Sequence, residues 1–152
     1  MRRSEIRLRH HDYRDPGVYL VTLVSAGRAT LFGVVDREGV RLSPFGEIAR
    51  DHIELLPVRR PTVEVTDSII MPDHLHLILT FAAPTSCGLG GVINAFKGGI
   101  SRDVNLLRRT PGALVWQDNY WERVVRTIHE LERLRAYLAD NPRRWFERNQ
   151  VR

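Results

Sequence analysis

The sequence is poor in cysteine and has no long apolar run. Its 152 residues contain one cysteine, Cys87, which excludes an internal disulfide and fits a reducing compartment. No stretch approaches the ~18 uncharged apolar residues that a membrane helix needs. The N-terminal MRRSEIRLRHH is basic, but no apolar segment of the secretory type follows it. We therefore expect one compact domain in the cytoplasm.

Lysine is also scarce. Of the 23 basic residues, Lys97 is the one lysine and the others are arginines. With 18 acidic residues the formal net charge is +5. Such a charge fits a polyanionic partner, since each phosphate contact releases counterions from the nucleic acid. Many soluble domains are mildly basic by chance, and a GC-rich genome also enriches arginine. Charge alone therefore does not establish DNA binding.

The arginines of the first 16 residues are closely spaced, and Pro16-Gly17 separates them from the remainder. We expect residues 1–16 to be a basic N-terminal arm and residues 17–152 to be a single domain. The arm is either a solvated segment or a DNA-contacting one. In the second case the contacts would come from Arg2, Arg3, Arg7 and Arg9.

The sequence pattern of residues 17–152 predicts an α+β protein with a central antiparallel sheet flanked by helices. β-branched and alternating apolar residues are typical of strands, and apolar residues at helical spacing are typical of amphipathic helices. The short Pro72-Asp73 link favours an antiparallel pair. Strands are expected at 18–26, 32–35, 40–42, 62–71 and 74–81, a short aromatic strand or turn at 115–125, and helices from Pro44 to before Pro57, over 89–107 and over 127–140.

Two histidines interrupt the apolar stretch MPDHLHLILT. Side chains alternate between the faces of a strand, so His74 and His76 share one face while Leu75, Leu77 and Leu79 point to the core. Two adjacent imidazoles form half of a metal site. An isolated His-x-His pair arises easily by chance, so a third ligand and a reacting group are needed.

The last helix supplies both groups. Tyr137 and Asn141 are four positions apart and project from nearly the same face of a helix. The Asn141 carbonyl could complete a coordination shell, which would place the Tyr137 phenol beside the metal and in line with a bound phosphate. Alternatively, Tyr137 is a surface residue and Asn141 a helix cap before Pro142.

Several segments in this order resemble the REP-associated tyrosine transposases, a branch of the single-tyrosine HUH transposases. HUH denotes two histidines around one hydrophobic residue. The similarity spans nearly the whole chain and is carried by PGVYLVTLVSAGRATLF, FGEIA, HLHL after MPD, VWQDNYWERVVR and YLADNPRRW.

The resemblance implies a ferredoxin-like or RNA-recognition-motif-like sheet with the histidine pair on a central strand. It implies that His74 and His76 bind a divalent metal, that Asn141 completes the site and that Tyr137 attacks DNA. Members of the family cleave single-stranded DNA near hairpins of repetitive extragenic palindromes. They form a 5′-phosphotyrosine link and a free 3′-OH, and no nucleotide cofactor is needed.

Several alternatives remain open at this stage. Two imidazoles alone favour zinc, whereas the resemblance implies Mg²⁺ or Mn²⁺. Tyr120 is the rival nucleophile, and Asp73 is either a turn residue, which we favour, or an acceptor for an imidazole N–H. The protein is expected to act as a monomer or a homodimer. DNA contacts within the domain are expected from Lys97, Arg102, Trp116, Gln117 and Tyr120.

The leading hypothesis is thus a DNA strand-transferase acting on hairpin-forming single strands. One alternative is a non-catalytic protein that keeps the fold and binds structured nucleic acid. Another is a metal-dependent phosphoesterase that hydrolyses DNA without a covalent intermediate. The sequence does not give the target hairpin or the recognised tetranucleotide.

Overall fold

The computed structural model of the protein describes residues 17–150. The expected basic arm, with Arg2, Arg3, Arg7 and Arg9, lies outside these residues. The elements are β1 Gly17–Val24, a 3₁₀ turn Ala26–Arg28, β2 Gly33–Asp36, β3 Gly39–Leu42, α1 Pro44–Arg59, β4 Val63–Met71, β5 His74–Phe81, α2 Gly88–Arg108, β6 Trp121–Val125 and α3 Ile128–Gln150.

A four-stranded antiparallel sheet in the order β4-β5-β1-β6 forms the centre of the described domain. β4 and β5 pair from Met71↔His74 to Val63↔Phe81, as the short link predicts. β2 and β3 form a separate two-stranded hairpin. The expected α+β fold with a central antiparallel sheet is therefore confirmed.

The two faces of β5 pack against different helices. Leu75, Leu77 and Leu79 are fully buried in the main core, to which α1 and α2 also contribute. The opposite face carries the histidines, and Ile78 packs there with Leu134 of α3 and other apolar residues. The alternation expected from the sequence is confirmed, and the sheet lies between α1 and α2 on one side and α3 on the other.

α1 begins as the sequence predicts but ends later. Ser43 Oγ accepts a hydrogen bond from the Gly46 backbone N–H at 3.0 Å, and Pro44 occupies the first turn. The expected end before Pro57 is wrong, because the helix continues to Arg59. A proline near a helix end removes one backbone hydrogen bond, and the Arg60 N–H still caps the Leu56 carbonyl at 2.9 Å.

The expected end of the last helix is also wrong, and this matters for the site. α3 passes through Pro142 and continues to Gln150. The proline costs one backbone hydrogen bond, while Arg143 bridges Asp140 and Glu147 across that point at 2.7 and 2.8 Å. Asn141 is therefore a buried residue inside a helix and not a C-cap.

α1 and α2 approach closely around a glycine. A Cβ at Gly99 would lie 2.9 Å from the ring of His52, so this glycine allows close helix packing. His52 is buried and bonds Asp103 at 2.6 Å through Nε2 and Arg59 at 3.1 Å through Nδ1. Among the glycines of α2, Gly99 thus allows close contact between α1 and α2. None of the helices within residues 17–150 is long and apolar enough to cross a membrane.

Candidate functional site

The two histidines of β5 lie side by side under α3. Their ring centroids are 4.8 Å apart, with the ring planes inclined at 75°. The side chain of His74 is 14% exposed and His76 is 7% exposed. Because β5 is an inner strand of the sheet, paired on both sides, its backbone holds these rings in place.

Each imidazole has one ring nitrogen engaged by a neighbour. His74 Nδ1 lies 2.7 Å from Asp73 Oδ1, and His76 Nδ1 lies 2.8 Å from Thr22 Oγ1. A neutral ring that donates through Nδ1–H carries its free lone pair on Nε2, which is the arrangement that metal-ligating histidines use. Both rings can therefore present Nε2 to one ion.

Asp73 does more than form the turn that the sequence favoured. Its side chain is buried, accepts the His74 N–H and lies 3.5 Å from Arg28 Nη1. Its backbone carbonyl also accepts the Ser25 N–H at 2.9 Å. The preference for a turn role alone is wrong, because the adjacent imidazole supplies a donor within reach of the carboxylate.

His76 is held neutral at ordinary pH. Burial is the main cause that lowers its pKa from 6.5 to about 4, and electrostatic interaction with neighbouring His74 and Arg144 contributes to the same shift. Metal ions bind the neutral imidazole, so this environment favours the ligand form.

α3 brings Tyr137 over the histidine pair. The Tyr137 ring centroid lies 6.0 Å from that of His76, and the side chain is 44% exposed. Asn141, one turn later, is 5% exposed, and its Nδ2 has no hydrogen-bond partner among the described residues. An unsatisfied buried amide is costly unless a ligand completes it. Tyr137 and Asn141 share a cavity of about 240 Å³ with Arg144, Glu147 and Arg148.

Ion pairs link α3 to both outer strands of the described sheet. Arg135 Nε lies 2.6 Å from Asp67 Oδ2 of β4, and Arg123 Nε of β6 lies 3.1 Å from Glu130 Oε1 of α3. Together with the apolar contact between α3 and Ile78, these pairs fix the position of Tyr137 relative to the histidines.

A divalent metal fits these residues. The two imidazole Nε2 atoms and the side-chain oxygen of Asn141 are the groups that would bind the ion, and the cavity that Asn141 lines leaves room for water or phosphate oxygens. Within residues 17–150 no group of three or more histidine, cysteine or acidic side chains could hold a metal. The donor set is thus two imidazoles and one amide, and metal binding stays a prediction.

The expected DNA contacts of the domain lie apart from this site. Trp116 and Tyr120 are 6% and 3% exposed and pack in the main core. Trp116 Nε1 donates to the Lys97 carbonyl at 3.2 Å, and Lys97 Nζ donates to the Gln117 carbonyl at 3.1 Å. Gln117 and Arg102 are exposed. Contact with DNA by these five residues stays a prediction.

The rival tyrosine lies on the other side of the sheet. Tyr120 packs in the core formed with α1 and α2, whereas Tyr137 faces the histidine pair. This placement favours Tyr137 as the nucleophile.

Sequence reasoning missed three neighbours of the site. Thr22 became visible only through the β1–β5 register, in which it opposes His76. Arg144 lies 4.2 Å from the centroid of the Tyr137 ring, and the Trp145 ring lies 6.3 Å from that of His74. Helical spacing from Tyr137 would have placed Arg144 and Trp145 nearby if the helix had been continued past the proline.

Comparisons with known proteins agree with this architecture. No protein-family model matches the chain. An uncharacterized protein from Haemophilus influenzae is 27% identical over an alignment 164 positions long, which covers 94% of this chain and 89% of that protein. A candidate transposase from Deinococcus radiodurans superimposes with a TM-score of 0.54 at 17% identity, over 88% of this chain and 95% of that one.

A second solved structure is the REP-associated tyrosine transposase bound to a REP hairpin. It superimposes with a TM-score of 0.66 at 18% identity, over 91% of this chain and 73% of that chain. The resemblance inferred from the sequence motifs is thus confirmed in three dimensions: this chain has the fold of the REP-associated tyrosine transposase.

Proposed function

We propose that the protein is a DNA transposase, a strand-transferase that binds hairpin-forming single-stranded DNA and cleaves and rejoins it through a tyrosine. The observation that carries the proposal is the placement of the Tyr137 ring against His76, one of two paired histidines, within one chain. Asn141 lies one turn further along the same helix and lines a cavity together with Tyr137. Tyr137 contacts His76 on one side and lines the cavity on the other, so a phosphate in that cavity would lie beside the phenol.

The reaction begins when Tyr137 Oη attacks the scissile phosphorus. The Oη–P bond forms, the P–O3′ bond breaks, the phenol proton passes to water and the leaving 3′ oxygen takes up a proton. The products are a 5′-phosphotyrosine and a free 3′-OH, and attack by a 3′-OH on the tyrosine ester rejoins strands without a nucleotide cofactor. The exposure of the Tyr137 side chain lets DNA reach the phenol.

His74, His76 and Asn141 would hold Mg²⁺ or Mn²⁺, which when bound polarises a phosphate oxygen and stabilises charge in the transition state. The chain itself orients these donors: Asp73 and Thr22 fix the two rings through their Nδ1 atoms. Oxygen ligands from water and phosphate make these metals compatible with two imidazoles.

The DNA partner follows from charge and from the fold. The net charge of +5 suits a polyanion, and the solved transposase with the same fold is bound to a REP hairpin. We propose a hairpin with a single-stranded flank as the substrate. Because His76 and Tyr137 of one chain already adjoin, a monomer suffices for the chemistry.

The decisive test is incubation with labelled single-stranded repeats from the protein's own genome and Mg²⁺, followed by denaturing electrophoresis. A protein–DNA adduct that resists denaturation is expected from the wild type and not from Tyr137→Phe. Hairpin binding without cleavage would instead support the non-catalytic alternative. Cleavage that leaves no adduct at any time would support a hydrolytic phosphoesterase.

A further inference from the structure

The cavity beside Tyr137 is lined by arginines that have no part in the proposed metal site. Its walls are formed by one face of α3, at Tyr137, Asn141, Arg144, Glu147 and Arg148. The volume of about 240 Å³ is large enough for a phosphate group with attached water. Among the described residues that line it, Arg144 and Arg148 are cationic and Glu147 is a carboxylate.

The acidic groups around this cavity are already paired with a different arginine. Arg143 holds Asp140 through two bonds of 2.7 and 2.9 Å and holds Glu147 at 2.8 Å. The charges of Arg144 and Arg148 are therefore only partly compensated within the described residues.

Arg144 is the better placed of the two arginines. Its guanidinium lies 4.2 Å from the centroid of the Tyr137 ring. Its Nε is buried without a hydrogen bond among the described residues, although Asp140 Oδ2 lies 3.4 Å away. Arg144 thus lies against the Tyr137 ring at the cavity, and its Nε–H makes no hydrogen bond among the described residues. Arg148 instead lies 5.9 Å from the Trp145 ring and is exposed.

We propose that this cavity binds the scissile phosphate and that Arg144 is a catalytic residue that donates to its non-bridging oxygens. The inference rests on the proposed strand transfer and adds the protein's own phosphate ligand to it. As Tyr137 Oη bonds to phosphorus and the P–O3′ bond breaks, negative charge on the phosphoryl oxygens is stabilised by the guanidinium. The same contact would position the phosphate against the phenol before reaction.

A binding experiment tests the phosphate contact without requiring activity. The salt dependence of hairpin binding is measured for the full chain, Arg144→Gln and Arg133→Gln, a matched control at an exposed position of the same helix. Loss of one phosphate contact reduces the slope of log K against log salt by about 0.7 to 0.9. We expect that reduction for Arg144→Gln alone. An unchanged slope in Arg144→Gln, with the helix content retained, overturns the proposal.

A kinetic experiment tests the catalytic role. Single-turnover adduct formation is compared on a normal strand and on one carrying an uncharged methylphosphonate at the scissile linkage. Arg144→Gln should slow the phosphodiester reaction by about 10²-fold or more. The loss should be much smaller on the methylphosphonate and smaller for Arg144→Lys, which keeps the charge. An equal loss on both substrates would mean that Arg144 merely supports the Tyr137 ring.

The two proposals fail in different ways. If the wild type forms no adduct, strand transfer is overturned, and the salt slope still decides whether Arg144 contacts phosphate. If the wild type forms the adduct and Arg144→Gln matches it in rate and slope, strand transfer stands and the Arg144 assignment is overturned.

Discussion

The ring centroid of Tyr137, in helix α3, lies 6.0 Å from the ring centroid of His76, in strand β5. One chain therefore holds both the proposed nucleophile and a proposed metal donor. The following experiments test whether this contact has the chemical meaning that we propose.

Replacing the histidines should separate cleavage from binding. His74→Ala or His76→Ala should lower the rate of DNA cleavage by at least about 10²-fold, because each removes a metal donor. Hairpin affinity, measured by filter binding, should change by less than about threefold, since backbone phosphate contacts supply most of the binding free energy. Full cleavage in either variant would remove the metal site from the mechanism.

Binding should depend on DNA structure and on salt. A single strand with a hairpin should bind more tightly than a perfect duplex of the same sequence at one fixed salt concentration. Affinity for the hairpin should fall by at least about tenfold between roughly 50 and 200 mM salt, because bound arginines release counterions. Equal affinity for duplex and hairpin would contradict the assignment of the substrate.

The two candidate tyrosines should respond differently to loss of their hydroxyls. Tyr137→Phe keeps the ring and its contacts, so metal and hairpin binding should persist while no covalent adduct forms. Tyr120→Phe should still form the adduct, because this side chain lies in the main core. Loss of the adduct in Tyr120→Phe alone would reverse the assignment.

Peptide mapping decides the same question directly. A trapped adduct digested with trypsin carries DNA on one peptide, and arginines at 123, 126, 133 and 135 separate the two tyrosines. We expect the DNA on the peptide that contains Tyr137.

The buried His76 should make the metal-free protein acid-sensitive. Its folded pKa of about 4 lies below its ordinary value of 6.5, so the unfolded chain binds the proton more readily. The resulting stability is complete above about pH 6.5 and is lost as pH falls through about 4. In EDTA, urea titrations at about pH 7.5 and 4 should show that wild type loses on the order of 2–3 kcal/mol more than His76→Gln. Parallel losses in the two proteins would contradict the burial of this ring in solution.

Much of the site follows from two local periodicities. The alternation of a strand placed His74 and His76 on one face, and the i, i+4 spacing of a helix placed Tyr137 beside Asn141. Both depend only on neighbouring residues, and both hold in the structure.

What the sequence did not reveal depends on tertiary contacts. The Thr22–His76 bond requires the register between β1 and β5, which many residues set together. Proline normally ends a helix, but the ion pairs of Arg143 and the packing of Asn141 accompany its continuation past Pro142. Ending the helix there removed Arg144 from consideration, although it lies against the Tyr137 ring.

The division of β5 between two faces has a genetic consequence. A substitution at Leu75, Leu77 or Leu79 opens the main core, so cells carrying it should lose the protein itself through unfolding and degradation. A substitution at His74 or His76 should leave a normally abundant but inert protein. Scored for abundance and for activity, the successive positions 74 to 77 of β5 should therefore alternate between two kinds of null allele.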